Sequence, residues 1–147
     1  MFYTSTRGDQ NISAAQAILN GIASDGGLYL PSDIPTLTAA DFETLRNKDY
    51  IGRAAFILTL FLTDFSREDI AKAVNGAYGS GRFENDDPAP LINVHDHIHL
   101  LELWHGPTCA FKDIALQILP FFMTSGAKLL NDDNTRLILV ATSVRGF

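Results

Sequence analysis

The chain has 147 residues, 46% hydrophobic and 19% charged, which suits one ordinary domain with a real core and excludes a disordered segment. Its net charge of −6 repels phosphate backbones and argues against nucleic-acid binding. Cys109 is the single cysteine, so no disulfide framework is available, and a reducing cytosolic compartment fits.

The N-terminal stretch MFYTST reads as a short extended element followed by a turn at Arg7-Gly8-Asp9, with no basic-then-apolar leader pattern. SAAQAILNG carries a Ser13/Gln16 capping box, apolar Ala17, Ile18 and Leu19, and Gly21 placed to end a helix. Asp25-Gly26-Gly27 is a turn signal, and Leu28 to Leu30 form a short strand before Pro31. TAADFETLRN starts with Thr38 as N-cap and places acidic residues in the first turns, where the helix dipole favours them.

YIGRAAFILTLFLTDF is apolar nearly all round, which predicts a central helix. Its apolar run falls short of the roughly 20 residues that a membrane-spanning helix needs. SREDIAKAVNGAYG has Ser66 and Asp69 as a cap pair, then Ile70, Ala73 and Val74 at helical spacing. Gly79 to Pro90 combines Gly, Pro and acidic residues without periodicity and is the best boundary in the chain. The expected division is therefore 1–85, mostly helical with short strands, and 86–147.

The second part begins with LINVHDHIHLLELW, read as two strands joined by a tight turn near Asp96. DIALQILPFFMTSGAKLL is a buried helix, in which Pro120 costs about 3 kcal/mol and predicts a kink or broken turn. RLILVAT, after the loop NDDNT, is a continuous apolar run, the signature of a strand covered on both faces. Strand, helix, strand opens an α/β unit.

Several residues have a chemical reading beside a plain one. Lys112, hemmed in by Ala110, Phe111, Ile114 and Ala115 at a helix entry, suits a desolvated Schiff-base lysine whose amine form is favoured by burial and by the helix dipole. The plain alternative is a snorkelling lysine with its head in water. His95, His97 and His99 would share a face on one strand, an arrangement able to bind zinc, but a turn at Asp96–His97 breaks the alternation, and a polar hairpin face is preferred. His105 and Cys109 are a weak nucleophile pair, because nothing in a four-residue separation across a proline turn brings them together. Arg7 is a candidate anion contact or a surface turn arginine.

Residues 101–117, LELWHGPTCAFKDIALQ, resemble the cofactor-lysine segment of threonine synthases, pyridoxal-phosphate enzymes of the tryptophan-synthase-β-like fold. YTSTRG and AILNGIASDGGLYLP resemble two further blocks of that family in the same order, so the likeness covers nearly the whole chain up to Ser143. The resemblance implies an α/β fold: a helical N-terminal domain over 1–85, then, from 86 to 147, the hairpin, helix and strand that open a pyridoxal-phosphate-binding open-sheet domain. It implies that Lys112 is the Schiff-base and catalytic lysine, that Phe111 packs near the cofactor or holds the lysine's backbone in place, and that Thr142 and Ser143 touch the substrate. The implied reaction converts O-phospho-L-homoserine and water to L-threonine and phosphate in the cytoplasm, with no metal.

The family continues its Ala-Thr-Ser into Gly-Asp-Thr-Gly, where this chain has Val144 and Arg145; β-branched Val144 is unsuited to a positive φ. The ending therefore reads as a truncation or frame change, and the chain alone is expected to be inactive. Three rivals stand beside this reading: a non-catalytic interaction module, another pyridoxal-phosphate lyase or dehydratase of the same fold, and a zinc protein built on HDHIH. The lysine motif HGPTCAFK, unlike the serine-rich motif of the other lyases, favours threonine synthase.

Overall fold

A computed structural model describes residues 1–79 and 81–137. The chain is mixed α/β. β1 (Tyr3–Ser5), β2 (Asn11–Ile12) and β3 (Tyr29–Pro31) form an antiparallel sheet in the order β2-β1-β3. Tyr3 sits opposite both Ile12 and Pro31. Pro31 thus lies inside β3, not after it, and the strand begins one residue later than expected. An edge strand tolerates this, because its outward positions need no N–H donor. β2 carried no sequence signal: two residues are too few for a period.

The helices start where their caps dictate. α1 (Ala14–Asn20) has the reciprocal Ser13/Gln16 box and ends at Gly21, with φ +70°. In α2 (Ala39–Arg46) Thr38 pairs with Asp41, and in α3 (Tyr50–Phe61) the Asp49 side chain accepts from the Gly52 N–H. In α4 (Arg67–Tyr78) Ser66 accepts from the Asp69 N–H at 3.0 Å. Caps of this kind contribute about 1 kcal/mol each. β4 (Leu91–His95) and β5 (Ile98–Leu101) form the predicted hairpin, turning at Asp96, whose φ is +45°. α5 (Asp113–Leu129) follows.

The core is a single cluster: Ala14 and Ala15 of α1, Leu62 and Phe65, the Ile70/Ala73/Val74/Ala77/Tyr78 face of α4, Phe83, and Ile118 and Phe122 of α5. It draws from both sides of the expected boundary. Phe83, within the Gly/Pro-rich stretch, is buried against Tyr78.

Two expectations are corrected. α3 is not central: it has no fully buried residue, and it lends the core one side through Tyr50, Ile51, Ala54, Ala55 and Leu58. The centre belongs to α4 and α5, which bury Ile70, Ala73, Val74, Ala77 and Tyr78 from one helix and Ile118 and Phe122 from the other. Pro120 does not break α5, which runs on to Leu129. Ile118 and Phe122 bury on either side of it, and Phe122 meets Phe65 edge-on at 5.3 Å, so packing offsets the lost backbone bond. Of the expected strand RLILVAT, Arg136 and Leu137 are not in a strand, and the rest lies outside the described residues. No helix among the described residues is long and apolar enough to cross a membrane.

If α5 anchors this core, Phe122→Ala should lower stability by about 3–5 kcal/mol. Urea unfolding read by Trp104 fluorescence and by far-UV circular dichroism should give coincident transitions. Two separated transitions would contradict the shared cluster.

Candidate functional site

The segment from His105 to Lys112 bridges the hairpin exit and the start of α5. Pro107 and Gly106 turn the chain, and Cys109 takes φ +56° while its N–H donates to the Gly106 carbonyl at 3.0 Å. Asp113, at the first helical position, is 1% exposed. Its Oδ2 accepts from the Thr108 N–H and its Oδ1 from the Thr108 hydroxyl, both at 2.8 Å. Carboxylates are favoured at helix N-termini, and this one also satisfies two donors of the preceding loop. Gly106 is required by the same contact, since a Cβ there would stand 2.4 Å from the Asp113 Cβ.

Lys112 is the N-cap residue of α5, in helical conformation and without a side-chain cap bond. The predicted helix entry is therefore observed. The predicted desolvation is not: Lys112 is exposed, and its ammonium lies 5.9 Å from the centre of the Phe111 ring, itself 64% exposed. The first turn of α5 buries Asp113 and leaves Lys112 at the surface beside the exposed Phe111 ring.

His105 turns both ring nitrogens to carboxylates, Nδ1 to Glu84 at 3.2 Å and Nε2 to Glu102 at 2.6 Å. Hydrogen bonds to Glu102, then to Glu84, raise its pKa above the ordinary 6.5. With both nitrogens occupied, His105 has none left for Cys109, which is exposed and free. His95 and His99 fall on separate strands with His97 in the turn, and His95 pairs with Asp96 at 2.9 Å. Among the described residues no group of three His, Cys, Asp or Glu side chains is arranged to hold a metal. Arg7 stands by the Asp25-Gly26-Gly27 turn, its charge helping to lower the pKa of Asp25 after the hydrogen bonds from Ser5 and Gly27. Thr142 and Ser143 lie outside the described residues. A concavity of about 790 Å³ at the far end of α5, lined by Thr124, Lys128, Asn131 and Asp132, includes none of the predicted site residues.

The roles of Glu84, Glu102, Thr108 and Asp113 escaped the sequence reading. The one available signal was Asp113 at a helix start, five residues after a threonine that follows a proline. Glu84 had none, because it meets His105 across 21 positions; Glu102 carries only its three-residue spacing to His105.

Residues 2–78 match the family described as the threonine synthase N terminus. Threonine synthase of Schizosaccharomyces pombe is 36% identical over 150 aligned positions, covering 96% of this chain and 29% of its own length. That of Corynebacterium glutamicum is 40% identical over 125 positions, 81% of this chain and 26% of its own. Among solved structures, pyridoxal-phosphate-bound threonine synthase from Brucella melitensis superposes with a TM-score of 0.81 at 39% identity, covering 89% of this chain and 28% of that one. The chain thus spans between a quarter and a third of these relatives.

Asp113→Ala should cost about 2–3 kcal/mol, because it strands two Thr108 donors and removes an anion from the helix start. Asp113→Asn, which keeps one acceptor, should cost less. Chemical denaturation of the three proteins orders them; equal stability would show that the lock contributes nothing.

Proposed function

The chain belongs to the threonine synthase family, and from that membership we propose that it is the N-terminal portion of an enzyme making L-threonine and phosphate from O-phospho-L-homoserine and water. In this reading residues 1 to about 85 form the family's N-terminal domain and the remainder opens the cofactor-binding domain. The protein is cytosolic, and the 147 residues alone do not turn over substrate.

One observation carries the reading: Lys112 presents an exposed primary amine at the head of α5, on a loop fixed by a buried carboxylate. An amine held at a defined point suits condensation with an aldehyde, in which a C=N bond forms and water leaves. Phe111, exposed beside it, offers an apolar ring to a planar heterocycle. The residues present therefore fit the aldehyde end of pyridoxal phosphate. The chemistry that this cofactor supplies when bound is an electron sink for the carbanion left as the substrate's α-proton departs.

The chain's own part follows from position. Lys112 Nζ would hold the cofactor's aldehyde end, and as a free amine it would serve as the base that takes a proton and returns it. Thr142 and Ser143, at the end of the expected strand, are assigned to the substrate.

Incubating the chain with pyridoxal phosphate, reducing with borohydride and mapping peptides should place the label preferentially on Lys112. Equal labelling of Lys48, Lys72, Lys112 and Lys128 would sink the assignment. A phosphate-release assay with O-phospho-L-homoserine should give no signal from the chain alone; threonine formation would overturn the expected inactivity.

A further inference from the structure

A neutral imidazole has one N–H and one lone pair. His105 faces a carboxylate oxygen at each nitrogen, 3.2 Å at Nδ1 and 2.6 Å at Nε2. In a neutral ring one of those contacts would set a lone pair against an anion. Both contacts are favourable in the imidazolium alone, which donates from both nitrogens. The ring is well shielded, 10% exposed, as is its tighter partner Glu102 at 20%, whereas Glu84 is 76% exposed. Glu84 also donates its backbone N–H to the His105 carbonyl at 2.9 Å.

The three residues come from three places: Glu84 from the segment after α4, Glu102 from the exit of β5, and His105 from the start of the lysine loop. Downstream, Asp113 fixes Thr108. The loop carrying Lys112 is thus held at two points, and its upstream hold is the ring of His105.

We propose that His105 is a positioning residue for Lys112: gripped by Glu84 and Glu102, it sets where the lysine loop leaves the hairpin and so where the amine stands. This assignment rests on Lys112 being the aldehyde-binding amine. The charged groups facing the ring are Glu84 and Glu102; Asp113 spends both oxygens on Thr108. Because the folded-state pKa of His105 is raised above 6.5, the stability it contributes is complete below that pH and is lost as the pH climbs through the raised value.

The test uses the full 147-residue chain and pyridoxal phosphate as probe. In ¹⁵N spectra of the unaltered protein near neutral pH, both His105 ring nitrogens should be protonated; a neutral tautomer there would overturn the proposal without any variant. His105→Gln and Glu102→Gln, first checked for folding by circular dichroism, should each reduce borohydride trapping at Lys112 relative to Lys48, Lys72 and Lys128. About tenfold is expected for His105→Gln, because small misplacements of a reacting group cost one to two orders of magnitude. Unchanged selectivity in folded His105→Gln overturns the positioning role and leaves the aldehyde reading standing. Absence of selectivity in the unaltered chain overturns the aldehyde reading itself, and the positioning role with it.

Discussion

A carboxylate taken out of water must find hydrogen bonds to replace its hydration, and Asp113 finds them in Thr108. That requirement shapes the region around the site. It forces Gly106 to be without a side chain, curls the loop through a left-handed Cys109, and starts α5 with Lys112 turned outward. α5 in turn brings Ile118 and Phe122 into the core beside α4 and α1. The lysine loop and the hydrophobic core are therefore joined by one buried anion, and Lys112 stays at the surface while its neighbour Asp113 is buried.

Electrostatics works differently at the other end of the loop. The His105 cluster joins one carboxylate three residues away, Glu102, to one from 21 positions away, Glu84, and its worth depends on protonation and on shielding from solvent. The outer carboxylate, Glu84, is largely solvated, and exposed pairs contribute little. The inner pair with Glu102 is close and shielded, and it fixes direction more than it adds stability.

The hairpin between these features is unlike the rest of the chain. Every residue of β4 and β5 is exposed, including Leu91, Ile92, Val94, Ile98, Leu100 and Leu101. Apolar side chains on both faces are the pattern of a strand pair that lies between layers. Uncovered, such a pair offers both its faces and its edges to association. The N-terminal sheet avoids this exposure by packing Tyr3 and Ile12 toward the helices.

Cap residues, helical spacing and turn signals are local. Ser13, Thr38 and Ser66 each begin a helix with bonds to residues three positions away, so their sequence alone placed α1, α2 and α4, and Asp96 placed the hairpin turn. The position of Lys112 at a helix entry was legible for the same reason. Depth was not. An apolar helix looks alike whether it lies at the centre or on the flank; α3 took the flank, with no fully buried residue, while α4 buries Ile70, Ala73, Val74, Ala77 and Tyr78. A helical proline looks disruptive until packing on either side carries the helix on past it. The burial of Asp113, the exposure of Lys112 and the reach of Glu84 to His105 were decided by tertiary structure, since depth in the fold and a contact across 21 positions depend on groups that local sequence does not bring together.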